Sequence, residues 1–310
     1  MFAMADGSQL AYIKETATAW GTTPAKPAWQ ILRLTGESFK IARETKQSAE
    51  ITPERNVSDL IHIGGGAEGG FNFEMSYGAY DDIFAAMLYG TWDDNVLVNG
   101  VTQSSLSFEK KFLVDTATYN YFRYTGMVPN TMNLSIAAGE IITGSFDFVG
   151  KGGSVAATAI ASSTYVDAAA QNVLSASSHV GALSLGSFAT AKILNLNLSA
   201  TNNLMSARVI GSLDNADIGA GQFNVSGSVE IYFEDKAVYE AYLNATEMAL
   251  SVTMGSTKAK KYTIELPRIK FSDGEVVASG QNSYVMANMS FQALGDPTEE
   301  CTMKITRAVV

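Results

Sequence analysis

The chain is poor in the groups that carry out chemistry. Its 310 residues include one cysteine, Cys301, and two histidines, His62 and His179. A single cysteine excludes an intramolecular disulfide and leaves no set of thiolates to hold a zinc ion. Charge is sparse: 17% of residues are charged, and there are only six prolines. Positive charge is the scarcer sign, with 21 Lys and Arg against 31 Asp and Glu and a formal net charge of −10. An acidic chain repels nucleic acid at long range and gains nothing from counterion release, which argues against a DNA reader. No uncharged apolar run nears the roughly 20 residues that cross a bilayer as a helix, so no membrane insertion is expected. The opening Met1-Phe2-Ala3-Met4-Ala5-Asp6 lacks the basic segment and apolar core of a secretory signal.

What the chain does have is glycine, 27 residues of it, and 46% hydrophobic residues spread over many short Val/Ile/Phe/Tyr runs. That composition favours a β-rich fold with ordinary cores. The clearest local pattern begins at Gly64-Gly65-Gly66-Ala67-Glu68-Gly69-Gly70. In Phe71-Asn72-Phe73-Glu74-Met75-Ser76-Tyr77 every second residue is large and apolar, the period of a strand with one buried face. Ile83, Phe84, Met87 and Leu88 then fall on one helical stripe. The unit is thus a glycine-rich turn, an alternating strand and a short amphipathic helix.

The unit recurs. Gly219-Ala220-Gly221 precedes an alternating run with Phe223, Val225, Val229, Ile231 and Phe233 on one face, followed by a stripe at Val238, Tyr239, Tyr242 and Leu243. Aligning Phe73-Glu74-Met75 with Val229-Glu230-Ile231 gives an offset of 156 residues, and aligning Ile83-Phe84 with Val238-Tyr239 gives 155, so one residue is lost in the turn. Two tandem copies of one domain are expected, residues 1–150 and 191–310. Residues 151–190 hold only two charged residues, Lys151 and Asp167, amid Ala, Ser, Gly and Thr, which reads as a linker that is mobile or packs along a neighbour. Residues 1–30, with Trp20 and Trp29 beside prolines, read as an extended arm, either anchored on a neighbour or tucked onto its own domain. Residues 43–59 are polar and too long for a tight turn, and such loops are often functional. Residues 202–217 are their shorter equivalent.

The motifs that resemble chemistry have plainer explanations. Gly64 to Gly69 matches G-x-G-x-x-G, but a strand follows these glycines where a dinucleotide site needs a helix, and Glu68 would repel phosphate. Neither histidine lies near a nucleophile elbow. Asp81-Asp82 and Asp93-Asp94-Asn95 suit a helix's first turn and a tight turn better than a calcium site. The basic cluster Lys258-Ala259-Lys260-Lys261 reads as a solvated turn. No catalytic residue, metal or cofactor is expected, and the protein is not expected to be an enzyme.

Taken together, these segments resemble the tail tube (major tail) proteins of long, non-contractile-tailed bacteriophages. The resemblance rests on Gly69 to Gly90, Ser107-Phe108-Glu109-Lys110 and the aromatics leading to Gly126, Asn133-Leu134, Gly139 to Gly150, and Trp20-Gly21-Thr22-Thr23-Pro24 with Glu37-Ser38. In the second copy it rests on residues 219–243, with Val229-Glu230-Ile231-Tyr232-Phe233-Glu234-Asp235. It implies a mainly β chain of two tandem β-sandwich or barrel tube domains, each with a short flanking helix. It further implies rings that stack into a tube through which phage DNA passes, assembled in the host cytoplasm. The implied partners are copies of the chain itself and the tail tip or baseplate, tape measure and tail terminator proteins. Two domains per chain suggest a trimer with pseudo-sixfold symmetry, with a hexamer carrying one domain outside as the runner-up. Glu74 and Glu230 face away from the apolar stripes and are the expected lumen residues. Glu44, Lys46, Glu50, Glu54 and Arg55 are expected in the loop that reaches the next ring. A carbohydrate- or cell-surface-binding β-sandwich of a virion is the alternative.

Overall fold

The computed structural model describes residues 8–115, 118–186, 188, 191–257 and 259–308. Lys258 of the basic cluster and the first seven residues lie outside these. The first half contains β1 (Ser8–Lys14), β2 (Ala28–Ile31), β3 (Gly36–Glu37), β4 (Lys40–Gln47), β5 (Leu60–Glu74), α1 (Asp81–Met87), β6 (Val96–Val98), β7 (Leu106–Asp115), β8 (Thr118–Ala137) and β9 (Thr143–Gly150). Next come β10 (Gly152–Ala156), β11 (Thr164–Val166), α2 (Ala176–His179) and β12 (Val180–Leu185). The second half contains β13 (Ile193–Thr201), β14 (Met205–Ala207), β15 (Asp217–Gly219), β16 (Asn224–Tyr232), α3 (Ala237–Leu243), β17 (Met248–Thr257), β18 (Lys260–Ala278), β19 (Val285–Ala293) and β20 (Lys304–Ala308).

Each half is a two-layer β-sandwich with a short helix on its flank, and its sheets do not close into a barrel. In the first half, β1–β7–β8–β10 forms one layer and β8–β9–β5, with β3 and β4, the other. In the second, β12–β17–β18–β20 and β18–β19–β16–β13 repeat that order. β8 and β18 each serve both layers. Along β9 and β19 their register shifts between Pro129 and Thr131 and between Phe271 and Asp273, where an extra residue bends the strand.

The layers are held apart by aromatic side chains. Phe108 lies 4.6 Å from Phe39 and 4.9 Å from Phe148, measured between ring centroids, and Tyr124 lies 5.5 Å from Phe39. These rings project from β7 and β8 on one side and from the junction of β3 and β4 and from β9 on the other. Burying each contributes about 1.5–3 kcal/mol.

The glycines expected as a turn before the strand lie inside β5 itself. Gly69 has φ +127, and a Cβ there would stand 2.5 Å from the Ser38 carbonyl. Glycine lets β4 and β5 approach at this kink, and alternation resumes only beyond it. The strand registers also correct the repeat. Phe71 lies opposite Phe146 and Val229 opposite Met289, so residue 71 corresponds to 229, an offset of 158. The helices begin at 81 and 237, an offset of 156, so two residues are lost in the turn. Glu74 therefore corresponds to Tyr232, and Glu230 to Asn72. After α1 the first half carries extra chain, because 18 residues separate α1 from β7 and four separate α3 from β17. That extra chain includes β6.

Residues 151–190 run from one half to the other. β10 completes a layer of the first half, β11 lies parallel to β2, and β12 opens the second half's sheet on β17. The N-terminal arm is tied to its own half through β1 on β7, and Trp29 is fully buried.

Candidate assembly surfaces

Three surfaces stand out: a polar sheet face, a projecting hairpin and the seam between the halves. The polar face is formed by the outward side chains of β5, β9, β8, β13, β16 and β19. Alternation sends Phe73, Phe146, Leu134, Leu198, Val229 and Phe291 into the cores and leaves Asn72, Ser145, Asn133, Asn197, Ser228 and Ser290 outside. The result is a shallow trough of about 760 Å³ lined by serine, threonine, asparagine and glutamine together with two glycines and Phe73, Leu134, Leu198 and Phe291, with no charged side chain in its lining. Carboxylates stand around it. Glu74 ends β5 half-exposed, and Glu230 on β16 accepts a hydrogen bond from the Asn195 amide. Both point away from the core, as their strand parity requires. They are not equivalent in the repeat, and Asp147 stands exposed on the same face.

The hairpin comprises β4, β5 and the tip at residues 48–59. The stretch expected as a loop from 43 to 59 is strand through Gln47, and pairing resumes at Leu60. Glu44 and Lys46 sit on β4, whereas Glu50, Glu54 and Arg55 sit in the tip, and all five are exposed. Arg208 forms a forked pair with Glu44 at 2.6 Å, and its hydrogen bonds hold the Glu44 carboxyl below the usual carboxylate range. Arg43 pairs with Asp214 at 3.0 Å, and the Asn215 amide donates to the Gly150 carbonyl at 2.8 Å. Residues 202–217, expected as the shorter equivalent of residues 43–59, therefore brace the base of the first hairpin. Sequence reasoning missed the hairpin's aliphatic surface: Ile51 is 98% exposed, and Val57, Leu60, Ile61 and Ile63 are each more than half exposed. Scattered among charges, these residues show no period, and only their projection reveals them as a patch.

At the seam, β8 pairs with β13 from Thr131 opposite Thr201 to Ala137 opposite Asn195, joining the halves through an unbroken sheet. β6 adds to β20 on the other layer. Between these joins lies α1, with Ile83, Phe84 and Met87 buried. Tyr262 of the second half packs its ring on Phe84 at 5.8 Å and donates its hydroxyl to Asp81. Arg307 reaches Asp81 at 2.5 Å, and Lys14 reaches Asp82 at 2.6 Å. Tyr12 donates to Asp82 at 3.3 Å, so the acidic pair is engaged by two cations and two tyrosines. Among the described residues, no group of three or more His, Cys, Asp or Glu could hold a metal ion, and no helix is long and apolar enough to cross a membrane.

The chain is thus a doubled sandwich with a polar sheet face and a projecting hairpin that exposes aliphatic side chains. The sequence profile of the phage tail tube protein family matches residues 5–293. The chain belongs to that family. No curated protein matches the sequence. As a tail tube protein it is a structural component of the virion tail.

Proposed function

We propose that this tail tube protein assembles into rings of three chains with pseudo-sixfold symmetry. The rings stack into the tube that carries phage DNA to the host. Residues 1–150 and 191–310 are the two tube units, joined by 151–190, and ring assembly takes place in the host cytoplasm. The observation that carries this reading is the seam. Two sandwiches of one topology meet edge to edge, β8 on β13, so six units from three chains would continue one sheet around an axis. Closing a sheet on itself removes the exposed edges that otherwise aggregate.

The polar face then lines the lumen, with Glu74 and Glu230 facing it. Neutral amides and hydroxyls offer phosphate no cation. The carboxylates around them repel it within a Debye length of roughly 8 Å. The hairpin, with Glu44, Lys46, Glu50, Glu54 and Arg55, reaches the next ring. Its stacking contact is head to tail and does not close on itself, which is the geometry of a filament. Tail tip or baseplate, tape measure and tail terminator proteins are its partners at the ends and inside the tube. Negative-stain images of concentrated protein test this. Hollow rods are expected, and dispersed monomers at high concentration would overturn it.

A further inference from the structure

The seam inside the chain exists once, yet both of its sides occur twice. On the second half, the edge of β18 equivalent to the edge of β8 that meets β13 has no strand on it among the described residues. On the first half, β3 and the start of β4 occupy the place of β13 and pair only with β5 among the described residues. We propose that these two edges meet between copies: residues 273–279 of one chain pair antiparallel with residues 36–42 of a second copy, placing Lys40 opposite Glu275.

The register is fixed by the repeat. Met132 and Gly274 hold the same place, opposite Phe146 and Met289, so Asn133 corresponds to Glu275. Glu37 and Leu196 hold the same place, opposite Phe71 and Val229, so Lys40 corresponds to Ser199. Within the chain, Ser199 lies opposite Asn133. Transferring that pair to these edges sets Lys40 against Glu275, and one residue along it sets Phe39 against Val276. In its own chain Lys40 pairs with Glu68 at 2.9 Å, the Phe39 N–H is held by Glu37, and the Phe39 carbonyl accepts from Tyr124 and Lys110. Opposite charges face each other on the polar side and apolar residues on the core side, which is the complementarity a cross-strand pair needs.

Burial points the same way. Leu134 is 5% exposed beneath the within-chain seam, whereas its equivalent Val276 is 38% exposed. Met87 of α1 is fully buried, while its equivalent Leu243 of α3 is 63% exposed. The second half thus presents, uncovered, the apolar residues that the first half covers with its neighbour. A second copy supplies the surface of matching shape, because its first half repeats the unit that covers α1. The contact between copies has no counterpart of the β6–β20 join, since α3 in the second half is followed by a short turn. The contact between chains therefore rests on the sheet edge and the helix.

This inference depends on the tube reading, and its test separates the two. Lys40→Cys and Glu275→Cys are introduced together, leaving buried Cys301 in place. Directly opposed residues have Cβ atoms about 4.5–5.5 Å apart, close enough for a disulfide after a small shift. Oxidation of assembled protein is expected to give covalent dimers and trimers on a denaturing gel, with the ladder ending at the closed ring. The pair Lys40→Cys with Val276→Cys, which project to opposite faces, is expected to give none. As a second arm, Lys40→Glu is expected to abolish rods, and Lys40→Glu with Glu275→Lys to restore them. Rods that form normally but cross-link only through the shifted pair, or through neither, overturn the register and leave the tube standing. Wild-type protein that forms no rods overturns both.

Discussion

Glu15 anchors a loop of the first half through four hydrogen bonds. Its carboxylate accepts hydrogen bonds from the backbone of Gly21 and Gly126 and the hydroxyls of Ser105 and Ser107, each at 2.7 Å. It pins the Trp20 loop to β7 and β8. Glu15→Gln turns one acceptor into a donor facing other donors, and is expected to cost about 2–3 kcal/mol in urea denaturation. A loss below 0.5 kcal/mol, the ordinary range for surface substitutions, would show that the loop holds without this pin. The tyrosines set a pH limit. Burial pushes the Tyr80 and Tyr124 hydroxyls up to about 12, and burial followed by nearby acids pushes Tyr12 and Tyr262 further. The folded state therefore holds protons that the unfolded chain releases above its own tyrosine pKa of about 10. Stability should be undiminished by these groups below pH 10 and fall as pH rises through about 12. The tyrosinate absorbance that these buried hydroxyls contribute should appear together with unfolding. Flat stability across that window would show that these hydroxyls ionise in the folded protein.

Among the elements, the hairpin carries the sharpest expectation. Deleting residues 46–55 removes no core residue, so the subunit should keep its melting temperature and its ring while stacking poorly. Ile51→Ser with Val57→Ser tests whether the aliphatic tip matters beyond the charges, and shorter rods under negative stain are expected. Rods of normal length in both variants would remove the hairpin from the stacking contact. The alternating strands were legible because one face of each is buried: Phe71 and Phe73 sit inside and Asn72 and Glu74 outside, as the period required. The α1 stripe was legible for the same reason. The course of β5 through Gly64 to Gly70 was not, because glycine reads as a turn until a neighbouring backbone is seen to need the space. Nor was the pairing of β10, β11 and β12, since short Ala/Ser/Gly segments have no apolar period and gain their order from the strands beside them. The match of Glu74 with Glu230 failed because an even shift preserves facing while changing the partner, and only hydrogen-bond register tells 156 from 158.

At the scale of the molecule, the duplication was written in the sequence but the way its copies join was not. Edge pairing of β8 with β13 depends on which strands lack partners, a property of the assembled sheet. That seam joins the two sandwiches through one sheet, and under the proposed assembly further copies continue it at both ends. The most direct test is the rotational symmetry of averaged rod cross-sections. Three chains per ring, resolved as six similar units in alternating pairs, is the expected result. A ring of six chains with one sandwich of each held outside the wall, or particles with no central hole, would contradict it.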